Sequence, residues 1–200
     1  MVWPTNSEER PLTNNEEQFE KLVEKLSASS RRERQVAAAA MAELARVEPA
    51  ILEPYKDQII DALNRPEAQT RWECLDMLTA LVPLDAKTCE KAVDGAETAL
   101  FDEGSGPLRL SAMRFLCKLG ATSPSLSSKA WPLIDEGIQC YHGDVEFSDM
   151  LNAVIDFSSG DLAPEVKEAL AARMAFDAAN GRGSLKKRAS LILENVQPKK

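Results

Sequence analysis

One spacing governs what this chain can fold into. Short segments led by Arg34, Arg71, Arg109, Phe147 and Lys186 recur at intervals of 37, 38, 38 and 39 residues. Three residues beyond each anchor stand Ala37, Cys74, Ala112, Met150 and Ala189. Seven beyond come Met41, Leu78, Leu116, Val154 and Leu193, and ten beyond come Leu44, Leu81, Leu119, Phe157 and Val196. All fifteen positions are apolar. Offsets of 3, 7 and 10 share one face of a helix with about 3.6 residues per turn. The same amphipathic helix therefore occurs five times. No run alternates apolar and polar residues with a period of two, so essentially no strand is predicted.

A second, looser set of helices lies between these. Phe19, Leu22, Val23 and Leu26 make one stripe, and Ile51, Leu52, Tyr55, Ile59, Ile60 and Leu63 make the next. Thr13-Asn14-Asn15-Glu16 and Ser30-Arg31-Arg32-Glu33 have the form of capping boxes. Prolines at 49, 66, 83, 107, 124 and 164 fall at or near segment ends, where a missing N–H costs least. Pro54 and Pro132 fall inside segments and predict a kink or a late start. The punctuation divides the chain into ten helical segments: 15–28, 31–47, 50–64, 67–82, 87–102, 107–119, 126–141, 145–158, 164–179 and 184–196. A two-helix unit cannot cover its own apolar face, so units of this period stack into an α-solenoid.

The stretch "PLRLSAMRFLCKLG" at 107–120 resembles the second helix of a HEAT repeat. That pattern has a branched apolar residue and Arg, then Ala, then two leucines. "TRWECLDMLTAL" at 70–81 and "LKKRASLILENV" at 185–196 are similar. The fourth unit departs from it, with Phe147 in place of the basic anchor. The resemblance to the HEAT-repeat (armadillo-like) family implies an all-α superhelix of about five helical hairpins. It covers residues 15–197 and leaves residues 1–14 as a flexible N-terminal tail, in which Trp3 is a candidate for docking into another subunit.

Composition narrows the function classes. No apolar run reaches the roughly 18–20 residues that span a bilayer, and MVWPTNSEERP has neither a basic start nor an apolar core of a secretory signal. The four cysteines at 74, 89, 117 and 140 form no Cys-x-x-Cys pair and read as reduced thiols in a cytoplasmic protein. Cys140 and His142 are too few for a zinc site, which takes three or four protein ligands. No metal or cofactor is expected. Net charge is −8, but residues 182–200 carry six basic residues against Glu194 alone, which leaves −13 for residues 1–181. An acidic body repels phosphate backbones, so nucleic acid is not the expected partner.

Two arrangements carry functional candidates. Arg34, Arg71 and Arg109 open successive second helices in register, as a phosphate-binding stripe or as a structural ladder onto preceding carbonyls and carboxylates, with Asn64 and Asp102 as candidate acceptors seven residues upstream. The ladder is favoured by Arg's planar fork. Offsets of 5 and 9 from the anchors point away from the core and present a polar face of mixed sign. Glu73, Asp76, Arg114, Lys118, Asn152 and Asp156 are the expected partner-facing set. The resulting expectation is a non-enzymatic interaction module that binds a protein or peptide along its concave face. Trp72, Asp76 and Arg114 also resemble the sites of HEAT-like DNA glycosylases of alkylation repair. That resemblance implies stacking by Trp72, electrostatic stabilisation by Asp76 and phosphate binding by Arg114. A self-assembling structural array is a further alternative.

Overall fold

The computed structural model describes residues 14–197, with side chains from Glu17 onward. The tail at 1–13, Trp3 and Thr13 lie outside the described residues. The helices are α1 (Asn14–Lys25), α2 (Arg31–Val47), α3 (Lys56–Asp61), α4 (Ala68–Cys89), α5 (Val93–Leu100), α6 (Gly106–Gly120), α7 (Pro124–Cys140), α8 (Phe147–Ser158), α9 (Pro164–Asn180) and α10 (Gly183–Val196). Short 3-10 segments at Pro49–Tyr55, Ala62–Asn64 and Glu90–Ala92 complete the second and third hairpins. No strand occurs among the described residues.

The repeat is realised as stacking. The second helices of the five hairpins, α2, α4, α6, α8 and α10, pack each against the next, while α7 packs on α5 and α9 in the other layer. Thirteen of the fifteen repeat positions are buried, and Leu44 and Leu193 lie half-buried against the same core. Leu193 sits in the fifth hairpin, against which the described residues place only one neighbouring unit. Each buried Leu or Phe removed from water stabilises by roughly 1.5–3 kcal/mol, so the five-fold apolar face is what holds the array together.

Local chemistry sets the helix ends. The hydroxyls of Ser30, Ser105 and Ser123 accept from the N–H groups of Glu33, Leu108 and Leu126 at 3.4, 3.3 and 3.3 Å. Pro54 closes a 3-10 segment just before α3 starts, whereas α7 runs through Pro132. No loop separates the second and third hairpins. Helix continues from Ala68 to Cys89 and is broken only at Asp85, whose φ/ψ of −149°/69° is non-helical. Asp85 Oδ1 accepts from Thr88 N–H at 3.0 Å and so caps the helix that follows.

The arginines form a ladder that runs forward along the chain. Arg34 grips Glu67 with two guanidinium nitrogens, and its Nη1 donates to the carbonyls of Ala28 and Ser29 at 2.6 and 3.0 Å. Arg71 meets Asp102 at 3.3 Å, and Arg109 meets Glu146 at 3.3 Å while donating to the Asp102 carbonyl at 3.0 Å. Asp102 therefore serves two rungs. Asn64 is exposed and is not the acceptor for Arg71: the carboxylate comes from the next repeat rather than from the preceding turn. Gly106 leaves the space that the Glu146 carboxylate occupies in the third rung: a Cβ there would fall 1.3 Å from Oε1 and make that side chain move. In the fourth hairpin Phe147 is buried, and His142 Nε2 reaches across to both Asp177 oxygens at 3.3 Å.

The outer layer is stitched in the same way. Lys56 pairs with Asp85, Lys91 with Asp57 at 3.2 Å, Lys129 with Glu90 at 2.9 Å and Arg173 with Asp135 at 2.6 Å. Each of these pairs joins neighbouring hairpins.

Candidate interaction groove

The second helices line a continuous depression. Its first part, about 530 Å³, lies over α2, α4 and α6. Buried Ala42, Ala45 and Met77 and half-buried Thr79 and Ala80 are its small or apolar lining. Its second part, about 320 Å³, lies over α4, α6 and α8 and is lined by Thr79, Cys117 and Ala153 together with charged residues. Thr79, Arg114 and Lys118 belong to both parts, so the two are one groove. Small side chains on consecutive helices leave room for a chain to approach the helix backbones.

Five of the six expected residues line this groove: Asp76 in the first part, Asn152 and Asp156 in the second, and Arg114 and Lys118 in both. Glu73 is not among the lining residues. It sits half-buried, within electrostatic reach of the Glu43–Arg46 pair of α2. Trp72 itself lies half-buried against the core. The sequence reasoning missed Asp149, which lies two residues past the fourth anchor and faces Arg114 across the second part.

The charges here obey a cross-helix rule. The residue five past one anchor meets the residue two past the next. Asp76 has the Ser111 hydroxyl beside it in this way, favouring its ionised form, and Asn152 Oδ1 accepts from Arg188 Nε at 2.7 Å. Arg114 and Asp149 occupy the equivalent positions between α6 and α8, yet among the described residues no direct ion pair joins them. Lys118, exposed beside Arg114, also forms none.

Electrostatics distinguish the groove from the ladder. Burial pushes the Asp76 carboxyl above its ordinary range, against the opposing pull of Ser111 and of the Arg114 charge. Burial likewise raises Glu73, and Asp76 adds to the effect by repulsion. In the inter-repeat ion pairs the shifts are opposite: on the ladder the Arg34 guanidinium holds Glu67 low, and in the outer layer Lys56 together with the Thr88 hydroxyl and N–H holds Asp85 well below the usual carboxylate range. Among the described residues, no group of three or more His, Cys, Asp or Glu side chains is placed to hold a metal. Cys140 is exposed, while His142 is turned to Asp177 and packs on Phe147 with ring centroids 4.8 Å apart.

A further depression of about 690 Å³ opens at the C-terminal end, between the start of α9 and the ends of α8 and α10. Within it the Asn195 amide donates to the hydroxyls of Ser158 and Ser159 at 2.9 and 3.0 Å. It contains none of the expected partner-facing residues.

No family model and no curated protein matches the sequence. Solved structures do match the fold. A designed armadillo repeat protein in complex with the peptide (KR)4 superposes with a TM-score of 0.73 at 14% identity, covering 91% of this chain and 87% of that one. A computationally designed armadillo repeat protein for modular peptide recognition gives a TM-score of 0.70 at 15% identity, covering 90% and 86%. An engineered protein gives 0.69 at 15% identity, covering 89% and 78%. The fold is an armadillo/HEAT-like repeat solenoid. In this solenoid no helix of the described residues is long and apolar enough to cross a membrane.

Proposed function

We propose that this solenoid is a non-enzymatic interaction module that binds a segment of a partner protein along its concave groove. The observation that carries the reading is the pair of connected cavities, lined by small side chains and bordered by Asp76, Arg114, Lys118 and Asp156, charges that form no direct ion pair among the described residues. The neighbours in fold include proteins designed for peptide recognition, which favours the same use of the architecture. Residues 15–197 form the binding domain. Three of the four cysteines are buried, and burial raises the thiol of Cys74 to about 12 and that of Cys89 to about 11, so these thiols pack as apolar filler. Unpaired thiols favour a reducing compartment, and we place the protein in the cytoplasm.

The test is affinity capture from the native cell with the wild type and with an Asp76→Lys/Arg114→Glu variant of matching thermal stability. Partners lost from the variant would be those the groove holds. Retention of every captured partner would overturn the reading.

A further inference from the structure

Adjacent helices of the groove carry opposite charge. On α2 the groove-lining charge is Arg46, already paired with Glu43; on α4 it is Asp76; on α6 it is Arg114 and Lys118, one turn apart; on α8 it is Asp149 and Asp156. Elsewhere along the array, charges on neighbouring hairpins close into ion pairs: three in the arginine ladder, four in the outer layer. In the groove the α6 cations remain apart from the acids on both flanks, although they share a cavity with each.

We infer that the groove selects an extended peptide of alternating charge, with a carboxylate side chain seated on Arg114 and Lys118, one basic residue toward Asp76 and another toward Asp149 and Asp156. This rests on the reading of the groove as a peptide site. The spacing follows from geometry. Packed helices lie about 8–10 Å apart and an extended chain advances about 3.3 Å per residue, so a segment crossing the helices meets a new one about every three residues. The preferred segment is basic-x-x-acidic-x-x-basic.

The local charge argues for a carboxylate rather than a phosphate. The third cation of the lining, Arg46, is held by Glu43, so three acids flank the two open cations of α6. A dianion there would face repulsion from both sides, whereas a single negative charge leaves the flanking acids free to take ammonium or guanidinium groups. The same balance disfavours a uniformly basic segment, whose central residue would sit on Arg114 and Lys118. In this respect the groove differs from the fold neighbour whose bound peptide is (KR)4. Burial of Asp76 adds to the selection, since a carboxylate that has lost water gains most from a cation supplied by the partner.

The test is a displayed peptide library in which three positions, spaced three residues apart, are each drawn from Lys, Glu and Gln. It is selected on the full chain at low salt. The enriched peptides are then resynthesised with a photocrosslinker beside the central position. The expected winner is Lys-x-x-Glu-x-x-Lys, binding about tenfold tighter than the all-Lys and all-Glu forms, with the advantage shrinking as salt rises. Its crosslinks should map to α6. In an Arg114→Glu/Lys118→Glu variant the central preference should change from Glu to Lys, and in Arg114→Gln/Lys118→Gln it should disappear. Enrichment of all-Lys, all-Glu or charge-indifferent peptides that crosslink within the groove would overturn the alternation and leave the peptide site standing. Failure to enrich any peptide, or crosslinks mapping away from α4, α6 and α8, would overturn both.

Discussion

The inter-repeat ion pairs and the groove draw on the same stack of helices, and they treat charge in opposite ways. At the helix starts, Arg34, Arg71 and Arg109 each reach a carboxylate of the next hairpin, and the cation beside it holds Glu67, like Asp85 in the outer layer, in its ionised form. Two turns further along, Asp76 is raised by burial, and Arg114 and Lys118 form no direct ion pair with the described carboxylates. Charge that joins repeats is closed and partly buried. Charge on the concave side is left open. Arg114 and Asp149 are both exposed, where an ion pair would contribute no more than about 1 kcal/mol, so leaving them apart costs the fold little.

The comparison breaks first at the ladder. Glu67→Ala strands the Arg34 guanidinium at a position where the carboxylate was almost fully enclosed, and should lower Tm by more than about 5 °C. A smaller change in a thermal melt would mean that the rungs are ornamental. Next comes the close approach at the junction of the third and fourth hairpins, where Asp161 N–H donates to the Ala121 carbonyl at 2.9 Å. A Cβ on Gly160 would lie 2.5 Å from that oxygen, so Gly160→Ala should cost about 1–3 kcal/mol in denaturant unfolding.

A pH series sharpens the comparison by sign. Asp85 has a folded pKa below its unfolded value, so its contribution is present at neutral pH and is lost as pH falls through the carboxylate range and below it. Asp85→Asn should therefore lower Tm at pH 7, with the deficit fading in acid. Asp76 has a folded pKa above its unfolded value, so its ionised form weighs against folding at neutral pH. Asp76→Asn should raise Tm slightly at pH 7, and the gain should vanish in acid. Melts of the two variants that moved in the same direction would erase the distinction between the regions. The smallest effect is expected at the open cations. Arg114→Ala/Lys118→Ala should leave Tm within about 2 °C of wild type while weakening any groove ligand.

Much of the architecture was legible because it repeats. Offsets of 3, 7 and 10 from five anchors located the buried face, and the structure buries Leu78, Leu116 and Val154 as the pattern requires. What escaped lies between repeats, where a residue's partner is set by the packing of helices some 31–37 positions apart. Asn64 is near Arg71 in sequence, but Asp102 is near it in space. The break at Asp85 was missed for a related reason. Pro83 looked like the terminator, yet helix runs past it and ends at the residue whose carboxylate caps Thr88. Five of the six candidates line the depression because offsets from one helix name its open face, while Asp149 needed the offset of its neighbour as well.

The bend at Asp85 has a mechanical consequence. Because α4 passes directly into the third hairpin, with Lys56 clamped to the bend, the second and third units turn as one stiff lever. The fourth and fifth units are instead joined through a turn, pinned where Asp161 N–H meets the Ala121 carbonyl and Ala163 N–H meets the Ser127 hydroxyl, and by the Arg173–Asp135, Arg188–Asn152 and His142–Asp177 contacts. Twisting motion should therefore be smallest between the second and third units, where the backbone itself carries the connection as helix, so that the near wall of the cleft keeps its shape.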